Sequence, residues 1–250
     1  MMKHESLFIH AAWYDRREDA QSCAERMSRM LDELSTGHPS TANWYYDYPA
    51  IPFGDTKNDR SKLVELFEEG LARRDDNGKR IPGSGHHLFI SNNATEDDRR
   101  IQMYVYAGYW KEQRYSGRNK FVAFLPAYKS GNEDMLSLQV LLPLLTAIIH
   151  AWDPEFAILG GDEMLQFAEL WEGRERPQWP FGNWVIYLSA PLAALVTPPR
   201  EALVKELPGF GKLLVATEAP FTAANPEHVR ICEAIHHALA PVRAFLGEDN

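Results

Sequence analysis

The sequence predicts an α+β fold, a mainly antiparallel sheet with helices packed around it, in a single domain over residues 1–250. Three observations point there. Strand-like runs separated by turns follow one another across residues 86–125, the pattern of antiparallel pairing rather than of βαβ winding. Segments with apolar residues at helical spacing flank that region. No Gly/Ser or Pro tract divides the 250 residues, and that length supports one sizeable core.

Residues 6–13 read as a strand. A helix over 18–34 puts Cys23, Met27, Met30, Leu31 and Leu34 at helical spacing, and Thr36-Gly37-His38-Pro39 stops it. An aromatic loop follows, Asn43-Trp44-Tyr45-Tyr46-Asp47-Tyr48-Pro49, which either lids the core or forms a recognition surface. Leu63, Leu66, Phe67 and Leu71 mark a second helix, ending in a charged turn at 73–78. Strands at 86–92, 101–110 and 121–125 come next. In the second, Ile101, Met103, Val105 and Ala107 alternate with Gln102, Tyr104, Tyr106 and Gly108.

A helix at about 133–152 leads into the most distinctive stretch, 151–189, which holds four of the seven tryptophans: Trp152, Trp171, Trp179 and Trp184. It reads as a strand at 156–159, a Gly160-Gly161 turn and a helix from Asp162, whose carboxylate can cap it. A polar loop then leads to a strand at 184–188, with Trp184, Ile186 and Leu188 on one face. A strand at 212–218 and a last helix complete the chain. Asn225-Pro226 supplies that helix with a cap and a first-turn proline, and Val229, Cys232, Ile235, Ala238 and Leu239 form its buried face.

With 45% hydrophobic and 24% charged residues the composition is that of an ordinary soluble protein. The most apolar run, 135–152, contains Gln139, Pro143 and His150 and fits a buried helix better than a membrane span. The first ten residues carry Glu5 and a very short apolar run, so they read as a strand rather than a signal peptide, and a cytoplasmic location is expected. Cys23 and Cys232 lack the spacing of a disulfide frame or metal site. A net charge of −9 argues against nucleic-acid binding and would steer a basic partner.

The residues that could do chemistry form no complete set. Gly83-Ser84-Gly85 lacks the further glycine and following helix of a dinucleotide fingerprint, and no Walker lysine pattern or G-x-S-x-G elbow occurs. His86 and His87 are adjacent on a strand and point to opposite faces. Cys232 and His236, at i and i+4, would be two ligands without a third, and a core cysteine beside a surface histidine is the expected arrangement. No catalytic residue, metal or cofactor is expected. The competing readings are a small-molecule enzyme using His86, His87 or the carboxylates Asp162 to Glu172 near the Trp-rich stretch, and a structural adaptor.

Five blocks, in order over most of the chain, together resemble the immunity protein 52 family of polymorphic toxin systems. They are Ala12-Trp13-Tyr14-Asp15-Arg16-Arg17-Glu18 with Cys23-Ala24 and Asn43-Trp44-Tyr45; residues 74–82; residues 119–126; Ala151-Trp152-Asp153-Pro154; and Gly182-Asn183-Trp184-Val185-Ile186-Tyr187-Leu188-Ser189. Tyr14-Asp15 stand where a small residue and proline would be expected. The resemblance implies a non-enzymatic α+β protein that binds and neutralises a cognate nuclease toxin with a restriction-endonuclease-like domain, often delivered by type VI secretion. No nucleic-acid or membrane partner is implied. For toxin contact, the residues put forward are Asp162, Glu163, Glu169 and Glu172, whose carboxylates could face a basic groove, and the aromatic loop with Trp44, Tyr45, Tyr46, Asp47 and Tyr48.

Overall fold

The computed structural model describes residues 7–46, 51–52, 60–71, 77–81, 83–92, 99–110, 119–126, 132–161, 163–173, 175 and 178–247. The strands are β1 (Leu7–Ala12), β2 (Tyr45–Tyr46), β3 (Ile51–Pro52), β4 (Ser84–Ser91), β5 (Gln102–Tyr109), β6 (Lys120–Phe124), β7 (Phe156–Gly161), β8 (Val185–Ser189), β9 (Leu203–Leu207) and β10 (Gly211–Val215). The helices are α1 (Ala20–Ser35), α2 (Arg60–Glu69), α3 (Leu138–Trp152), α4 (Glu163–Glu172), α5 (Ala190–Ala193), α6 (Pro226–Ala238) and α7 (Ala240–Gly247). The α+β class read from the sequence is the one observed. Among the described residues one sheet runs β3-β2-β4-β5-β6-β1-β7-β8-β10-β9, antiparallel throughout.

The chain's first strand lies in the middle of this sheet. β1 pairs with β6 on one side (Ile9 opposite Ala123) and with β7 on the other (Ile9 opposite Leu159). One face is covered by α1, α2 and α3. α1 packs on α2 and α3, α2 on β4, and α3 on β1 and β7. α1 forms where the apolar spacing predicts it, with Asp19 accepting from the Ser22 N–H at 2.8 Å to start the helix. Its Met27, Met30, Leu31 and Leu34 are buried, each contributing about 1.5–3 kcal/mol on leaving water. The core beneath includes Ile9, Val105 and Phe121, with Trp13 stacked on Trp152 at 5.6 Å between ring centroids.

α3 is buried on nearly every side, hence its almost unbroken apolar sequence. It begins at Leu138, later than the sequence pattern suggests, because residues 133–136 form turns. Its last carbonyls are met by guanidinium groups, with Arg16 donating to the Trp152 oxygen at 2.6 Å and Arg26 to the Ala151 oxygen at 2.8 Å. Glu18 holds both arginines, at 3.1 Å from Arg16 Nε and 2.5 Å from Arg26 Nε. The Arg16-Arg17-Glu18 block thus ties the end of β1 to a helix C-terminus, where cations are favoured.

Elsewhere the structure departs from the sequence reading. Gly160 and Gly161 are not a turn but the last two residues of β7, with Gly160 opposite Phe8. A Cβ on Gly160 would stand 1.7 Å from Asn183 Oδ1, so glycine admits the Asn183 amide, which accepts from the Trp184 N–H at 2.9 Å. β9 lies at one edge of the sheet and was not visible as a strand. The final helix is two, α6 and α7, divided at Leu239. Pro241 has no N–H to continue the α6 ladder and falls in the first turn of α7, where that N–H has no helical partner to lose.

Candidate interaction surfaces

Among the described residues, helices and loops cover the second face of the sheet over only part of its width. α4 packs on β7 and α6, and α6 on α7. The Gln178–Phe181 segment reaches β1, where Trp179 lies 4.3 Å from the His10 ring and 6.4 Å from that of Phe8. Beyond Trp179 the outward side chains of β6, β5 and β4 reach solvent. On β6, Val122 is half-buried and Phe124 is 50% exposed; on β5, Tyr104 is half-buried and Tyr106 is 41% exposed; on β4, Phe89 is half-buried and His87 exposed. The register puts Phe89 beside Tyr104 and Tyr104 beside Val122, and Phe89 and Tyr104 meet at 4.7 Å and Tyr104 and Phe124 at 5.8 Å between centroids. Lys120 Nζ lies 5.4 Å from the Tyr106 ring centre, and His87 stacks on the same ring. The outward positions of β4, β5 and β6 hold no Asp or Glu, in a chain of net charge −9.

The α4 region differs from expectation. Asp162 lies outside the described residues. Glu163 and Glu169 are half-buried on α4, beside Leu170, which is 75% exposed. Glu172 turns inward: its side chain is 11% exposed and its Oε1 stands 3.5 Å from Arg243 Nε and 3.6 Å from His236 Nε2. Gln178 also donates its N–H to that carboxylate at 3.1 Å. Arg243 donates in turn to the His236 oxygen at 2.8 Å and the Pro180 oxygen at 3.3 Å. This buried network clamps the end of α4 to the junction of α6 and α7, so Glu172 is no part of an exposed acidic face.

His236 is buried, not the surface histidine expected one turn from the core Cys232. Burial, then the Arg243 charge, lowers its pKa to about 3, so the ring is neutral. Its Nδ1 accepts from the Gly182 N–H at 3.4 Å, leaving the proton on Nε2 toward Glu172. His10 is likewise pushed down to about 4, chiefly by burial and then by Lys120. Burial pushes the Cys23 thiol up to about 12 and the Cys232 thiol upward too.

In the aromatic loop, Trp44 is buried and donates from Nε1 to the Thr41 oxygen at 2.8 Å, so it anchors the core. Tyr45 and Tyr46 form β2 and are half-buried, with Lys62 Nζ 5.3 Å from the Tyr46 ring; Asp47 and Tyr48 lie outside the described residues. His86 is buried with Nδ1 2.8 Å from the Phe67 oxygen, while His87 is exposed on the opposite face, as strand geometry requires. His86, His87 and the α4 carboxylates of the enzyme reading do not converge among the described residues. Among the described residues no three His, Cys, Asp or Glu side chains are grouped to hold a metal ion, and no helix is long and apolar enough to cross a membrane.

Fold and surface together define an α+β protein with an apolar face, free of carboxylates at its outward strand positions, on β4, β5 and β6. The family profile described as immunity protein 52 matches residues 5–244, nearly the whole chain, and the protein belongs to that family. No curated protein matches it in sequence. Among solved structures it is similar to the Pseudomonas aeruginosa T6SS protein PA0821, with a TM-score of 0.56 and 14% identity, over 95% of this chain and 76% of that one. At that identity the likeness is one of fold.

Proposed function

We propose that this chain protects its cell by binding and neutralising a cognate antibacterial nuclease, of restriction-endonuclease-like fold and delivered by type VI secretion, in the cytoplasm. Family membership over residues 5–244 is the observation that supports this most. The T6SS protein of similar fold agrees with the delivery route. The charge of −9 suits a nuclease partner, because an enzyme that grips phosphate presents cationic surface and opposite charge speeds encounter. Neutralisation proceeds by stoichiometric binding rather than turnover. The candidate chemical groups favour that reading: His236 is buried and engaged by the Gly182 N–H and Glu172, burial pushes both thiols up, and His86 and His87 face apart.

The test is co-expression of this chain with the toxin polypeptide encoded beside its gene. Survival with the chain and death without it, with a stable complex on purification, is the expected result. Protection without any complex would point to catalytic detoxification instead.

A further inference from the structure

We propose that the toxin is gripped by the open aromatic face of β4, β5 and β6, through an apolar patch on the toxin flanked by carboxylate. The inference rests on the immunity reading for the existence of a toxin partner, and on the structure for the place. Phe89, Tyr104 and Phe124 form a continuous ring cluster on the outer side of the sheet, and Tyr106 and Phe124 are 41% and 50% exposed. A sheet face normally carries polar side chains where it meets water. Here it carries rings, the side chains that dominate interface energetics.

Three strands about 4.8 Å apart, each showing about three outward residues, give a patch of roughly 200–300 Å². A standard interface buries about 800 Å² per partner, so the patch is the centre of such an interface rather than all of it. Charge selects the occupant. The only formally charged outward side chain on β4, β5 and β6 is Lys120, so the complementary surface is apolar with an acidic neighbour. A second copy of this chain offers no carboxylate at the outward positions of β4, β5 and β6, and two molecules of charge −9 repel. A cationic toxin is drawn in by the net charge and then held by the rings. This contact is chemically unlike a phosphate-gripping groove, so the toxin surface engaged lies outside its nucleic-acid groove.

The experiment uses the full-length protein and the neighbouring-gene toxin with its nuclease made inactive. Binding is measured for the native protein, for Tyr106→Ser/Phe124→Ser, for Lys120→Glu, and for the control Leu203→Ser/Val204→Ser, two exposed apolar residues on β9 at the opposite edge of the sheet. The aromatic variant is expected to bind at least about 30-fold more weakly, the size of a hot-spot truncation, with the control within threefold of native. Lys120→Glu is expected to bind at least about 10-fold more weakly. Hydroxyl-radical labelling of the native complex, which needs no variant to fold, is expected to protect Tyr106 and Phe124. Native-like binding by the aromatic variant, or undiminished labelling of those rings in the complex, overturns the proposal and leaves the immunity function intact. Failure of the native protein to bind or protect overturns both.

Discussion

Replacing Arg243 by methionine keeps most of the apolar stem and removes the guanidinium. In the folded protein that group is 9% exposed and sits 3.5 Å from a Glu172 carboxylate that is itself 11% exposed. At an effective dielectric of 20, two unit charges at that separation attract by about 5 kcal/mol, much of it offset by the cost of desolvating both ions. Removing one member of a buried pair costs about 3–5 kcal/mol. The His236 and Pro180 carbonyls lose a donor as well, while Glu172 keeps the Gln178 N–H. A loss of about 3 kcal/mol is therefore expected, and Tm should fall by roughly 6–12 °C in a chain of this size. Calorimetry and urea unfolding measure both. Because the loss comes from the carboxylate left behind, adding Glu172→Gln should recover at least about 1 kcal/mol against the sum of the single changes. The pKa of His236, freed of a neighbouring cation, should also rise. A Tm within about 2 °C of native, or strictly additive single changes, would refute the pairing.

Three further outcomes follow from the same structure. Acid should destabilise the protein early: His10 and His236 have folded pKa values near 4 and 3, so as pH falls below the ordinary 6.5 the unfolded chain takes up protons that the folded one refuses. The two together should remove up to about 4 kcal/mol between pH 7 and pH 5, read from urea midpoints, and a flat profile over that window would contradict their burial. Gly160→Ala should cost about 3 kcal/mol, because its Cβ must displace the fully buried Asn183; an unchanged urea midpoint would count against that docking. Raising salt from 0.05 to 0.5 M (about 14 to 4 Å in Debye length) should slow toxin association at least about tenfold and change dissociation little, as expected when net charge governs approach and apolar contact governs residence. Salt-independent association would remove the steering.

How much was legible follows from where each signal resides. The alternation of Met103, Val105 and Ala107 with Tyr104 and Tyr106 is local, and β5 forms as it predicts. α1 was readable from the spacing of Cys23, Met27, Met30, Leu31 and Leu34, and α6 from the Asn225 cap, which the structure shows accepting from the Glu227 N–H. β9 was not, because an edge strand with Leu203 and Val204 both exposed has no buried face to give it a period. Gly160-Gly161 resembled a turn because glycine's close-packing role depends on Asn183, across a strand connection that sequence spacing does not reveal. The surface was hardest. Glu172 lies among acidic neighbours in sequence, yet its cation is Arg243 on α7. Trp44 lies among exposed-looking rings, yet its indole is buried. Tyr104 and Tyr106 were visible as one side of an alternating strand, whereas Phe89 and Phe124 lay in strands read without a face. That the α4–α6–α7 layer centres on β7 and leaves them open is a matter of tertiary packing alone.

The most direct measurement of the central claim is a titration of nuclease activity. The proposed partner, a nuclease toxin sought in the neighbouring gene, is held at fixed concentration, well above the Kd of the complex, while purified native protein is added and DNA cleavage is followed. Immunity by stoichiometric binding predicts a linear fall in activity to near zero at a fixed whole-number ratio of the two proteins, with both recovered intact in one complex. Full cleavage at a several-fold excess of this chain, or inhibition by a small fraction of an equivalent, would contradict it.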